Sequence, residues 1–449
     1  MADKKLSVGQ KLGFGICDMG GNLFFTALGF WCMYYLTDTV GLSAALAGAA
    51  VMIGKLWDAV TDPVMGYLSD RTRSRWGRRR PYLLFGSLPL FLTMWFFFTN
   101  PHIQNQVFLT VWATFSLMLL NTAYTVVNIP YSSLTPELTS DYHERSVLNG
   151  YRFGCAGIGT ILGAGAVDPL VKAFPTKSAG FSAVGILFGL IMAVTALITF
   201  FSTKENTAKI EIPREGFIKT YSGVFKNKPY VILVVTYALH ILGLNFLQGI
   251  LVYYTKYIYR REDITLIAMM ILIGTAILCI PLSVFVSKKL GKKRSYQICF
   301  AVLASASLVI FFLGHILGPN FFIGFMVYAG IGLGFGYATP FAMVPDTIDF
   351  DMVKSGERRE GAYYGMWTFI SKAGQSLSAF VLGLILVWGG YVAGAVQTPR
   401  ASFAIRLVMG PIPAAVLIAA MILIQFFPID EKAYNELIKG KDVARNGTT

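Results

Sequence analysis

Three ionisable residues stand inside one apolar stretch of this chain: Lys55, Asp58 and Asp62. Spacings of three and four put all three on one face of a helix. Two carboxylates that close cannot both ionise in a dry site without compensation. They can share a proton, pair with the lysine, or hold a bound cation. A hard monovalent cation such as Na+ takes several oxygen ligands, and two carboxylates supply them. A third oxygen is at hand in Tyr124-Thr-Val-Val-Asn-Ile-Pro130, where Thr125 and Asn128 lie one turn apart. The bland alternative is an ion-pair ladder among Lys55, Asp58 and Asp62.

Further charges lie in apolar surroundings. Lys372 sits in Ile370-Ser-Lys-Ala-Gly374, about ten residues past the preceding basic loop. It either neutralises the two carboxylates when no ion is held there, which would couple ion and substrate, or snorkels from a helix end. Asp18 and Asn22 share a helix face in a glycine-rich stretch. Arg152, in Asn149-Gly-Tyr-Arg-Phe153, either binds an anionic or hydroxylated ligand or pairs with Asp18. A central Asp, Lys or Arg costs about 2.5–3.5 kcal/mol on insertion into a bilayer, so these residues together cost on the order of 10 kcal/mol. They must face a protected interior and compensate one another.

The elements that carry them are membrane spans. The chain has 449 residues, 55% hydrophobic and 14% charged, with a mean hydropathy of +0.59. A soluble chain would carry about a quarter charged residues. Apolar runs long enough to cross a bilayer recur throughout, at 12–36, 43–69, 82–99, 107–131, 147–170, 180–202, 230–255, 264–287, 295–315, 320–345, 361–388 and 404–427. The runs are continuous, unlike the alternation of a β-barrel. The expected fold is therefore an all-α membrane protein of twelve transmembrane helices, anchored in a lipid bilayer. The first span follows a polar start with no small-residue cleavage site, so no cleaved signal peptide is expected.

The net charge of +14 resides in short loops, as the positive-inside rule requires. It therefore argues against a nucleic-acid partner. Six arginines follow span two: Arg71, Arg73, Arg75, Arg78, Arg79 and Arg80. Five bases follow span eight, from Lys288 to Arg294, while 37–42 and 100–106 hold neither Lys nor Arg. The loop at 256–263 breaks the pattern with Lys256, Arg260 and Arg261. Both termini are expected in the cytoplasm. Five cysteines and four histidines are scattered without metal-ligand spacing, and no nucleophile–base set or phosphate loop is found. No enzyme activity and no cofactor are expected beyond a coupling ion, Na+ or H+.

The chain also repeats itself. Trp76-Gly-Arg-Arg-Arg-Pro-Tyr82 matches Leu290-Gly-Lys-Lys-Arg-Ser-Tyr296 at an offset of 214, and Arg145 falls on Arg359 at the same offset. Two six-helix bundles are expected, at 1–202 and 230–427, joined by a cytoplasmic linker at 203–229 and followed by a cytoplasmic tail at 428–449. Such duplications are typical of secondary transporters, with the substrate near mid-membrane between the halves.

Several motifs point to one family. They are Lys11-Leu-Gly-Phe-Gly15, Tyr34-Tyr-Leu-Thr-Asp38, Trp57-Asp-Ala-Val-Thr-Asp-Pro63 with Arg71-Thr-Arg-Ser-Arg-Trp-Gly77, Asn128-Ile-Pro-Tyr131, and Pro345-Asp-Thr-Ile-Asp-Phe350 with Lys372-Ala-Gly374. Over almost its whole length the chain resembles the glycoside–pentoside–hexuronide:cation symporters, a melibiose permease-like group of the major facilitator superfamily. The resemblance implies a cation site at Asp58, Asp62 and Thr125 with Lys372 beside it in coupling, and Lys55, on the face of the two acids, is expected to share in that coupling. It implies a sugar site drawn from Asn22, Asn128, Arg152, Tyr337 and Thr368, with Trp367 an added aromatic nearby; Asp18, on the face of Asn22, and Tyr124, in the stretch that holds Asn128, are expected to join it. Asn22 and Asn128 stand where the family pattern has sugar-gripping aspartates, and Ser132 and Tyr337 stand where it has tryptophans. Losing two acids while keeping Arg152 and Lys372 makes the cavity more positive, so an acidic sugar such as a hexuronide is expected, with pentosides as the alternative. Ion pairs among Arg145, Asp346, Asp349, Asp351, Arg358 and Arg359 are expected to bias a cytoplasmic gate. The expected activity is cation-coupled sugar import by alternating access, in a bacterial inner membrane. The rivals are a lysophospholipid transporter of the same superfamily and a membrane sugar sensor that does not transport.

Overall fold

The computed structural model describes residues 6–138, 142–204, 224–355 and 360–429. Helices are the only regular elements among the described residues, and the expected spans fall on the longer ones, 404–427 on two of them. They are α1 (Val8–Tyr34), α2 (Ala44–Arg71), α3 (Arg80–Phe97), α4 (Gln106–Ser132), α5 (Tyr142–Gly165) and α6 (Lys177–Ser202), then α7 (Lys228–Tyr253), α8 (Asp263–Leu290), α9 (Lys292–Val309), α10 (His315–Ser355), α11 (Glu360–Gly389), α12 (Pro399–Met409) and α13 (Pro411–Leu423). The twelfth span is thus two helices divided at Gly410, and α10 is kinked at Gly318 (φ 82°), just before Pro319. Eight of the described helical stretches are long and apolar enough to cross a membrane, one of them running through both α9 and α10. The shortfall falls on α1, α3 and α5: α3 spends its 18 residues partly on Arg80, Pro81, Tyr82 and Pro89, and α1 and α5 are diluted by glycine and charge.

Three of these helices start where a polar side chain satisfies the first backbone donors. Ser7 and Gln10 close a capping box on α1. Asn105 accepts from the amides of Val107 and Phe108 at the head of α4, and Thr176 accepts from that of Ala179 at α6.

The chain divides into two compact units, residues 1–212 with 248–270 and 379–405, and residues 213–247 with 271–378 and 406–449. These differ from the expected halves, because 248–270 and 379–405 pack with the first. Glycine explains part of the difference: a Cβ on Gly48 would lie 2.5 Å from the Ala379 carbonyl, and one on Gly383 would strike that of Ala44. The bare backbones let α2 and the end of α11 meet directly. The same device joins α1 to α5. Gly15 packs on the backbone of Tyr151 and Arg152, Gly159 on Met19, and Gly163 on Leu23. Most of the expected linker and all of the expected tail beyond 429 lie outside the described residues.

The repeat is visible in the turns. Gly77 and Gly291, at the offset of 214, both have left-handed φ, 104° and 86°, which glycine adopts without strain. The basic residues beside them do matching work in each unit. Arg80 donates to the Phe200 carbonyl at the end of α6, at 2.7 and 3.2 Å. Lys293 donates to the carbonyls of Gln425 and Phe427 beyond α13, at 2.5 and 3.1 Å. Cations at helix C-termini satisfy orphan carbonyls and oppose the helix dipole.

Candidate functional site

In the first unit α2 and α4 bring three oxygens together. The Thr125 hydroxyl lies 2.8 Å from Asp58 Oδ1 and 3.0 Å from Asp62 Oδ1. It has one proton, so it donates to one carboxylate at a time and offers lone pairs otherwise. Asp58 and Thr125 are buried and Asp62 is half-buried. Close helix approach makes the cluster possible: a Cβ on Gly54 would sit 2.9 Å from Leu117, and Asn121 Nδ2 donates to the Gly54 carbonyl at 3.2 Å. Hard oxygen donors on rigid helices suit Na+ or a shared proton. Lys55 is buried on the same helix, its ammonium 5.2 Å from the centre of the Phe25 ring.

A second polar cluster joins α1, α4 and α5. Asp18 Oδ2 accepts from Arg152 Nε at 2.6 Å and from the Tyr131 hydroxyl at 2.7 Å. Asp18 Oδ1 accepts from a terminal nitrogen of Arg152 at 3.3 Å, and the other terminal nitrogen donates to Thr135 Oγ1 at 3.1 Å. Of the two options open for Arg152, the structure contains the pairing. Asn22 Nδ2 donates back to the Asp18 carbonyl at 2.9 Å. Tyr124 is buried and stacks on Phe24 at 4.3 Å. Its hydroxyl lies 3.1 Å from where a Cβ of Gly21 would be. Tyr124 and Asn128 line a small cleft with Cys17, Gly20 and Gly21. Asn22 thus lies one turn past Asp18 on α1, and Asn128 about one turn before Tyr131 on α4, with Tyr124 a further turn away against Gly21.

The second unit holds the remaining sugar-site candidates and Lys372. Lys372 and Trp367 are buried, and Trp367 stacks on Tyr237 at 3.9 Å. Thr368 is exposed and donates to the Tyr364 carbonyl of its own helix at 3.1 Å, while Tyr337 is exposed. Of the expected gating residues, Asp346 pairs with Lys292 at 2.7 Å, a base from the repeat-related loop, where an arginine of the gating set was expected. Asp349 and Asp351 are half-buried on the same helix. The side chain of Arg145, with Arg358 and Arg359, lies outside the described residues.

Sequence reasoning missed a cluster centred on Asp38. α1 runs into a π-helical turn at Tyr35–Thr39 and α7 into one at Tyr254–Ile258. The Asp38 carboxylate is fully buried there. It accepts from Lys256 Nζ at 2.6 Å, from Thr37 Oγ1 at 2.9 Å, and from the hydroxyls of Tyr257 and Tyr391. Tyr34 and Tyr257 flank the ammonium at 4.6 and 4.7 Å, a cation–π arrangement. Burial, with Tyr253 and Asp38 beside it, pushes the Tyr391 hydroxyl well above the ordinary phenol range, which keeps it a donor. A signal was available in the loop at 256–263, which broke the charge rule: Lys256 is there to meet Asp38.

A family profile described as MFS/sugar transport protein matches residues 13–431. The chain is 29% identical to the isoprimeverose transporter of Lactiplantibacillus pentosus, over 94% of this chain and 89% of that one. It is 28% identical to a putative sulfoquinovose importer of Escherichia coli K12, over 98% and 95%. The fold matches the crystal structure of a bacterial homologue of the human lysosomal transporter Spinster, with a TM-score of 0.70 at 12% identity, over 96% of this chain and 97% of that one.

Proposed function

This chain belongs to the MFS/sugar transport protein family, and from that premise we propose that it is a cation-coupled symporter that imports a sugar or glycoside by alternating access. The observation that carries the reading is the Thr125 hydroxyl set between Asp58 Oδ1 and Asp62 Oδ1. Two acids on consecutive turns with a shared hydroxyl form a site that a monovalent cation stabilises, and Na+ is the ion proposed. Lys372 is the competing charge that takes over when the ion leaves. Ion and sugar then each strengthen the binding of the other by the same factor.

The substrate is an acidic sugar, a hexuronide or a chemical relative of one. The ionisable groups singled out within the spans are three acids, Asp18, Asp58 and Asp62, and three bases, Lys55, Arg152 and Lys372. Their charges cancel, so one bound cation leaves an excess of one positive charge, which an anionic sugar removes. Similarity to a putative sulfoquinovose importer and to an isoprimeverose transporter supports a sugar as the substrate. The protein resides in a bacterial inner membrane with both termini in the cytoplasm.

The test is counterflow in proteoliposomes against a panel of neutral and acidic glycosides and a lysophospholipid, with and without Na+. The reading expects Na+-dependent exchange of a sugar. Exchange indifferent to Na+ would remove the coupling, exchange of the lipid alone would remove the sugar, and binding without exchange would remove transport.

A further inference from the structure

The Asp18–Arg152 pair is fixed by backbone packing, not by flexible side chains finding each other. Gly15 rests on the backbone of Tyr151 and Arg152, and Gly159 and Gly163 on Met19 and Leu23. The approach of α1 to α5 therefore leaves Asp18 directly against Arg152. The carboxylate takes Nε and one terminal nitrogen of the guanidinium, the side-on, two-point geometry in which arginine binds any carboxylate. Tyr131 holds Asp18 Oδ2 from the other side at 2.7 Å. Three of the guanidinium's five N–H groups are engaged by described residues. The pair is also not sealed, with the Arg152 and Asp18 side chains 21% and 16% exposed.

A carboxylate or sulfonate on a sugar would seek the same face of Arg152 that Asp18 occupies. Asp18 is then an internal competitor, cancelling the charge that would favour an anion. We propose that Asp18 is a specificity-determining residue, which acts by positioning and neutralising Arg152 and so sets how strongly the transporter discriminates between neutral and acidic sugars. This rests on the reading of the protein as a sugar symporter whose substrate reaches Arg152. Asp18 touches the guanidinium; its effect on substrate is through that group.

The experiment measures kcat/KM for uptake of a glucuronide, a sulfonated sugar and a neutral glycoside, driven by an Na+ gradient, in wild-type protein and variants. Asp18→Asn keeps the shape and removes the competing charge. It is expected to raise the acidic-to-neutral ratio about tenfold, mainly through a lower KM for the acidic sugars. Asp18→Glu, which returns the charge, is expected to bring the ratio back toward wild type, which a purely structural role would not do. Tyr131→Phe, which loosens Asp18 without changing charge, is expected to shift the ratio the same way by a smaller factor, and it decides the matter if Asp18→Asn fails to fold. A ratio unmoved in Asp18→Asn, or in Tyr131→Phe where that variant decides, overturns the assignment. A rise for only one of the two acidic sugars says which anion the site accepts and leaves Asp18 the determinant. Wild-type protein that moves none of the three overturns the transport reading itself, a result distinct from an unmoved ratio.

Discussion

Replacing Thr125 by valine removes one oxygen from the proposed ion site at nearly constant volume. In this structure the hydroxyl stands 2.8 Å from Asp58 Oδ1 and 3.0 Å from Asp62 Oδ1, and Thr125 itself is buried. Water does not readily replace a group lost there. A hydrogen bond to a charged group is worth about 1.5–3 kcal/mol, and each 1.4 kcal/mol is about tenfold in affinity. If a bound Na+ takes the hydroxyl as a ligand, the loss falls on the ion-bound state. The Na+ concentration for half-maximal uptake should then rise about 10- to 100-fold, with the maximal rate at saturating Na+ reduced much less. The assay is initial uptake in proteoliposomes across a wide Na+ range at fixed sugar. A half-saturation value within about twofold of wild type would refute the assignment of Thr125 as a ligand. A fall in maximal rate with no change in half-saturation would refute it too, because that pattern marks a structural defect.

Other outcomes follow from the same geometry. Asp38→Asn leaves Lys256 buried without its carboxylate and should destabilise the protein by about 3–5 kcal/mol, seen as a lower thermal midpoint in detergent; the double variant Asp38→Asn with Lys256→Met should recover much of that loss. Gly159→Leu drives a side chain into the Met19 backbone and should lower the midpoint sharply, whereas Gly154→Leu, where a Cβ meets nothing within 4 Å, should be tolerated. Arg80→Ala removes the donor to the end of α6 and should cost about 0.3–2 kcal/mol of stability. Equal midpoints for the two glycine variants would contradict the packing argument.

The spans and the face shared by Asp58 and Asp62 were legible in the sequence because both rest on strong, local signals. Apolar length marks a helix, and two acids four apart inside one are too costly to be accidental. The fate of Arg152 was not local. Whether it faced a ligand or Asp18 depended on how Gly15, Gly159 and Gly163 let two helices meet, and spacing alone does not fix that. Asp38 was harder still, because its partners Lys256, Tyr257 and Tyr391 lie more than 200 residues away. An acid at the end of a span reads as an ordinary interfacial charge, and only the misplaced basic loop at 256–263 betrayed it. The compact units show the same limit: glycines at 48 and 383 draw segments of the later spans onto the first unit, across a boundary that hydropathy draws at the linker. Asp346 pairs with Lys292, a loop base that the linear sequence does not single out as its partner.

The most direct test of ion–sugar coupling is calorimetric titration of the purified protein with its sugar, in Na+ and again in choline, for wild type and for Asp62→Cys. Sugar is expected to bind more tightly in Na+, to tighten Na+ binding by an equal factor, and to lose both effects in the variant. Identical sugar affinity in the two media for the wild-type protein would contradict that coupling.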